Sequence, residues 1–187
     1  MKSLVINPVN VRRAAAVLKQ QGVIVYPTDT AYALGGVFDS PAVRRRILQI
    51  KQRRDEKFTL IAASLAQVQQ FFTLNTMAKK LARKFWPGPL SIVVTKQFAV
   101  RVPKQALARS FARQAGRPLI ATSANLSGSP APYTVQAVLA QFKNKKNQPD
   151  LLLDAGRLKK VKPSTVVAIV DGQVRILRAG PVRPIID

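Results

Sequence analysis

The segment Pro118-Leu-Ile-Ala-Thr-Ser-Ala-Asn-Leu-Ser-Gly128 passes from an apolar run, Leu119 to Ala121, straight into Thr122, Ser123, Asn125 and Ser127. This reads as a buried strand whose end delivers small hydrogen-bonding side chains into a turn. A bare turn needs only one or two such residues, and ligands of open α/β sheets sit at strand ends. A second cluster of the same kind, Tyr26-Pro-Thr-Asp-Thr30, follows the apolar run Val23-Ile-Val-Tyr26. Two apolar strands that each end in a hydroxyl-rich loop predict one polar cleft.

Cationic candidates lie elsewhere. Lys51-Gln-Arg53, with Lys57 four residues beyond Arg53, stands at the end of a predicted helix. Alternate residues of an extended exit point the same way, so Lys51 and Arg53 could grip one anion, arginine as a planar fork and lysine as a point charge. Cations at a helix C-terminus are also favoured by the dipole with no ligand at all. Arg101 in Ala99-Val-Arg-Val-Pro103 and Arg178 in Leu177-Arg-Ala-Gly180 fall inside apolar strands, where a guanidinium is costly unless it is paired or holds an anion. The chain has 31 Lys and Arg against 8 Asp and Glu, so structural pairing cannot account for every arginine. Ser164, in Lys162-Pro-Ser164-Thr165, opens another strand, its hydroxyl either closing a loop or reaching a ligand.

The inventory excludes several chemistries. There is no histidine and no cysteine, which removes imidazole general-base catalysis, a Ser-His-Asp triad, thiol chemistry and a disulfide framework. Leu34-Gly-Gly36 lacks the Lys-Ser/Thr that completes a phosphate-binding P-loop. No close pair of carboxylates suggests glycosidase chemistry, and Asp29 is the one acid inside a candidate site loop. What remains compatible is phosphoryl or nucleotidyl transfer run by positioning and cationic stabilisation, which needs no protein nucleophile.

The elements that must position these residues alternate. Helices are predicted from an Asn10 cap through Gln21, from a Ser40 cap with Pro41 at the first helical position, and from a Ser64 cap to near Phe72. Others span Thr76 to Phe85, Gln105 to Gln114 and Val135 to Phe142. Strands are predicted at Val23–Tyr26, Phe58–Ala63, Leu90–Thr95, Phe98–Val102 and Leu119–Thr122. Ser164–Val170 and Gln173–Arg178 flank Asp171-Gly172, a hairpin signal. Strands alternating with helices, plus a terminal hairpin, imply an α/β fold with a mixed sheet. A length of 187 residues suits a single domain over 1–187. No apolar run reaches a membrane span, and the first residues lack a signal-peptide core, so a cytoplasmic site is expected.

A formal charge of +23, with no acidic residue from Lys57 to Pro149, attracts polyanions and speeds their encounter. It fits RNA or nucleotide contact, and equally a generally cationic surface.

Seven blocks carry a resemblance: Tyr26-Pro-Thr-Asp-Thr-Ala-Tyr-Ala-Leu-Gly35, Lys51-Gln-Arg53, Trp86-Pro-Gly-Pro-Leu90, Val100-Arg-Val-Pro103, Thr122-Ser-Ala-Asn-Leu-Ser-Gly128, Pro163-Ser-Thr-Val166 and Arg178-Ala-Gly180. In this order the chain resembles the YrdC family, the short threonylcarbamoyl-AMP synthases, from about Gly22 to Gly180. The resemblance implies a twisted α/β sheet flanked by helices, with a basic concave face. It implies a reaction in which L-threonine, bicarbonate or CO2, and ATP with Mg²⁺ give threonylcarbamoyl-adenylate and pyrophosphate, the first step of tRNA threonylcarbamoyladenosine modification. Downstream proteins would transfer the threonylcarbamoyl group to tRNA, with which direct contact is also implied.

Position by position, the resemblance implies that Thr30, Arg101, Ser123 and Ser164 hold threonine. Lys51, Arg53, Lys57, Asn125, Tyr133, Thr134 and Arg178 would hold ATP and its phosphates. The chain departs from the family at four residues and in an unusually short connection between the strands ending at Thr95 and starting at Phe98. Arg54 and Phe58 stand where many members have proline, Ala62 where some use a histidine for threonine, and Ala33 where glycine is common. Two alternatives remain: a non-catalytic RNA-binding protein on the same fold, or a YciO-like nucleotide-binding paralogue. RNA binding alone would gain nothing from Thr30, Ser123, Asn125 and Ser164.

Overall fold

The computed structural model describes residues 1–185. The chain opens with β1 (Lys2–Val5), α1 (Pro8–Lys19), β2 (Ile24–Pro27), β3 (Tyr32–Gly35), α2 (Pro41–Lys51) and β4 (Phe58–Ile61). It continues through α3 (Leu65–Phe71), α4 (Thr76–Phe85), β5 (Leu90–Val93), β6 (Phe98–Arg101) and α5 (Ala106–Gln114). Then come β7 (Leu119–Ile120), β8 (Thr122–Ser123), α6 (Val135–Phe142), β9 (Leu151–Asp154), β10 (Thr165–Val170) and β11 (Gln173–Arg178).

The strands form two mixed sheets where the sequence pattern suggested one. One runs β1-β9-β2-β3-β8 and the other β11-β10-β5-β6-β4-β7. The division falls inside the expected strand Leu119–Thr122. Its first half, β7, pairs antiparallel with β4; its second half, β8, pairs antiparallel with β3. Ala121 between them donates its N–H to Thr59 O at 2.8 Å, while Ile120 donates to Gly36 O at 2.8 Å. The two sheets therefore share one short crossing segment. Glycine is required beside it: a Cβ on Gly35 would stand 2.0 Å from Ile120 O.

The core lies between these sheets and the helices. Every residue of β2 and β3 is buried, as expected of strands covered on both faces. Helices present narrow apolar stripes to them: Ala14, Ala15 and Leu18 from α1, Val43, Ile47 and Ile50 from α2, Ala108, Phe111 and Ala112 from α5. Phe111 meets Tyr26 edge-on at 5.8 Å between ring centroids, a favoured aromatic geometry. Among the described residues, no helix is long and apolar enough to cross a membrane.

Local chemistry explains most boundaries. Ser40, Ser64 and Asn75 cap α2, α3 and α4 through side-chain acceptors. Asp171 and Gly172 both take positive φ, 52° and 75°, the conformation of a two-residue hairpin turn. At α1 the expectation of an Asn10 cap is corrected. Asn7 caps the helix and Pro8 occupies its first turn; a residue before proline is held extended, which is the cap conformation. Asn10 lies inside the helix and donates Nδ2–H to Val5 O. Strands β1, β3 and β9 escaped the sequence reading. Strand β1 is short and mostly exposed, and it exists through parallel pairing with the distant β9.

Candidate active site

One cleft of about 320 Å³ gathers the ends of strands from both sheets. The first sheet contributes Thr28 and Thr30 after β2 and Ser123 at the end of β8. The second contributes Arg101 at the end of β6, Arg178 at the end of β11 and Ser164 just before β10. Arg53 and Lys57 enter from the loop after α2, and Tyr133 from the segment leading into α6. The single polar cleft expected from the two hydroxyl-rich loops is thus present.

The threonines after β2 form a tight turn. Thr28 Oγ1 lies 2.8 Å from Ala31 O and 3.1 Å from Thr30 Oγ1. Thr30 Oγ1 in turn accepts from Arg101 Nη2 at 3.3 Å. Arg101 is almost fully buried, and its Nη1 lies 2.8 Å from Asp29 Oδ1. That contact is close but off the hydrogen-bonding axis, so both atoms lack an aligned partner. Asp29 Oδ2 accepts the N–H of Lys104. The one acid of the site loop is therefore committed to neutralising the buried guanidinium, a contact that sequence spacing could not reveal.

On the opposite wall, Arg178 donates Nε–H and Nη2–H to Ser164 O at 3.0 and 2.9 Å, and Nη2–H also reaches Ser164 Oγ at 3.1 Å. Ser164 Oγ shares a hydrogen bond with Ser91 Oγ. Burial and the field of Arg101 both lower the pKa of Arg178, but arginine stays charged in proteins. Arg53 donates to Asp55 and to Lys57 O at 2.9 and 2.6 Å, and its guanidinium carbon lies 5.5 Å from the centre of the Phe58 ring. Phe58, at a position where the family often has proline, gives that arginine an aromatic platform.

Three expected ligand residues point elsewhere. Lys51 Nζ does not line the cleft with Arg53; it lies beneath the loop after β8, 2.6 Å from Ser123 O and 2.8 Å from Asn125 O. Two residues apart on an extended exit would share a direction, but Lys51 ends the helix and Gln52 turns left-handed at φ 53°, which separates the two side chains. Asn125 spends its amide on Leu126 O and Ser129 O. Thr134 caps α6 by accepting from Ala137 N. Conversely, Tyr32 and Thr59 line the cleft unanticipated. Tyr32 Oη accepts from Ala155 N and donates to Gly156 O, tethering the loop that carries Pro163 and Ser164. Ala33 lines the cleft as well, whereas Ala62 is fully buried and stands outside its lining.

The model of the Sua5, YciO and YrdC proteins, described as telomere recombination, matches residues 16–180. The chain belongs to the Sua5/YciO/YrdC family. Among its relatives is a threonylcarbamoyl-AMP synthase of Psychromonas ingrahamii, 37% identical over 148 residues, covering 70% of this chain and 78% of the relative. Among solved structures of the family, E. coli YciO superposes with a TM-score of 0.84 at 28% identity, covering 97% of each chain. P. abyssi Sua5 complexed with L-threonine superposes with a TM-score of 0.85 at 27% identity, covering 96% of this chain and 57% of that one. This member of the Sua5/YciO/YrdC family thus spans little more than half of the longer Sua5 protein.

Proposed function

We propose that this chain makes threonylcarbamoyl-AMP from L-threonine, CO2 or bicarbonate, and ATP. The observation that carries the proposal is the uneven charge along one cleft. Around Arg101 the charge is neutralised by Asp29 and surrounded by hydroxyls, an environment for a small zwitterion. Around Arg53, Lys57 and Arg178 the cations outnumber their carboxylate partners, an environment for a triphosphate. The threonine complex of the P. abyssi relative supports the first assignment.

The threonine carboxylate would meet the Arg101 guanidinium where it lines the cleft, with Thr30, Ser123 and Ser164 bounding the rest of the molecule. Its amine captures CO2 as a carbamate and loses a proton to solvent. A carbamate oxygen attacks the α-phosphorus, the bond from the α-phosphorus to the α,β-bridging oxygen breaks, and that oxygen leaves as part of pyrophosphate. Arg53, Lys57 and Arg178 stabilise the charge that develops on the phosphates, and Tyr133 borders the nucleotide. Among the described residues, no cluster of carboxylates, histidines or cysteines could hold a metal, and Asp29 is already paired. Mg²⁺ would accompany ATP as part of the substrate, on its phosphates. The adenylate would pass to a transferase that modifies tRNA, and the cationic surface supplies a site for RNA contact.

Incubation with ATP, Mg²⁺, bicarbonate and labelled L-threonine tests this, with pyrophosphate and the adenylate as readouts. Product that depends on both threonine and bicarbonate is expected. Arg53→Ala removes a charge-assisted contact worth about 1.5–3 kcal/mol; it is expected to weaken ATP at least about tenfold and leave the circular dichroism spectrum unchanged. Unaltered turnover in that variant would sink the phosphate assignment. The end-to-end likeness to YciO favours a second reading, a nucleotide-binding paralogue, which predicts ATP binding without threonine-dependent pyrophosphate.

A further inference from the structure

Lys51 is the least explained ionic group in the molecule. It is only 3% exposed, and no carboxylate pairs with it among the described residues. A buried cation without a counter-ion is expensive, so its surroundings must replace water. They do: Nζ donates to Ser123 O at 2.6 Å, to Asn125 O at 2.8 Å and to Asn125 Oδ1 at 3.4 Å. An ammonium has three donors, and all three are directed into one loop. The main chain of the same residue adds a fourth tie, since Lys51 O accepts from Ser127 N at 2.8 Å.

The loop so held is the one that bears Ser123. Its N-terminal side is fixed by pairing of Ser123 with Ala33 and by Ala124 N donating to Tyr32 O. Past that point no strand holds it, and the carbonyls of Ser123 and Asn125 converge on Lys51. Ser123, whose carbonyl Lys51 holds, itself lines the cleft.

We infer that Lys51 is a positioning residue: its buried ammonium gathers the Ser123 and Asn125 carbonyls and thereby fixes the orientation in which Ser123 meets the bound substrates, without itself touching the triphosphate. The inference rests on the proposed reaction for its catalytic consequence, but its geometric content stands apart from it. Burial, and secondarily Arg53, lower the Lys51 pKa to about 8, in keeping with an ammonium held by neutral acceptors.

Lys51→Met keeps an unbranched apolar stem of four atoms and removes the ammonium with its donors. In the full chain, amide hydrogen exchange at Asn125 and Ser127 is expected to speed up about tenfold or more, the loss of one charged hydrogen bond, while β10 amides keep their rates. Binding of inorganic tripolyphosphate is expected to stay within about threefold of wild type, whereas Arg53→Ala weakens it by about tenfold or more. Turnover with threonine should fall with little change in the KM for ATP. Tripolyphosphate binding lost as in Arg53→Ala, with loop exchange unchanged, would overturn the inference and make Lys51 a phosphate ligand. Should Lys51→Met fail to fold, the wild-type protein decides: the Lys51 ammonium resonance stays put on titration with tripolyphosphate while the Arg53 guanidinium moves, and a shift of both overturns the inference. A wild type that makes no adenylate removes the reaction alone, because the exchange and tripolyphosphate measurements still test what Lys51 holds.

Discussion

At the scale of single residues, the site is built from charges whose partners are fixed unequally. Arg101 is buried against Asp29, with side-chain exposures of 5% and 17%. Removing one member of such a pair leaves an uncompensated buried charge. Asp29→Ala is therefore expected to lower stability by about 3 kcal/mol or more, read by urea unfolding. Arg101→Leu in the same chain should recover much of that loss, and a purely additive double mutant would show that the pair is not coupled. Lys51 gives a pH prediction. Its folded-state pKa of about 8 lies below the ordinary 10.5. Between those values the unfolded chain binds more protons than the folded one, so stability rises with pH. Below about 8 both states are charged and the folded state bears the full burial cost. Wild type should thus gain stability relative to Lys51→Met from about pH 8 to 10.5, and parallel pH curves for the two proteins would refute this.

At the scale of elements, hydroxyl side chains divide between scaffold and site in a way their type does not announce. Thr134 and Thr30 are both expected to hold substrate, yet Thr134 accepts from Ala137 N at the start of α6 and Thr30 faces Arg101. Thr134→Ala removes a helix cap, which costs about 1 kcal/mol, and a thermal melt should register it. ATP affinity should not change; a clear loss of affinity would return Thr134 to the nucleotide site. The split of Leu119–Ser123 into β7 and β8 is the matching case for backbone. Its apolar half belongs to one sheet and its hydroxyl half to the other, so one short segment both joins the sheets and delivers Ser123 to the cleft between them.

At the scale of the whole molecule, charge is the dominant quantity. Among the described residues four acids are paired with arginines, Asp29, Asp39, Asp55 and Asp150, and the net charge of +23 is the excess of 31 cations over all 8 acids, with no counter-charge in the chain. Self-repulsion of this kind destabilises the compact state. Raising ionic strength from about 0.01 M to about 0.1 M shortens the screening length from about 30 Å to about 10 Å and should raise the melting temperature. A midpoint that falls with salt would mean that attractive pairs outweigh repulsion. A field of this sign attracts polyanions in general.

What the sequence by itself determined was whatever depends on neighbours along the chain. The Ser40 and Ser64 caps, the helix Thr76–Phe85, the Asp171-Gly172 turn and the two hydroxyl-rich strand ends follow from local sterics, capping and apolar period, and the family blocks carried the outline of the fold. The tertiary structure alone decided which groups meet. Asp29 and Arg101 are far apart in the chain, and only the approach of β6 to the β2–β3 turn makes them a pair. Lys51 and Arg53 are two residues apart, and only the left-handed Gln52 sends one under the loop and the other to the cleft. Strand β1 forms because β9 arrives beside it. Spacing sets local direction, but a buried charge chooses its partner from whatever packing brings within reach.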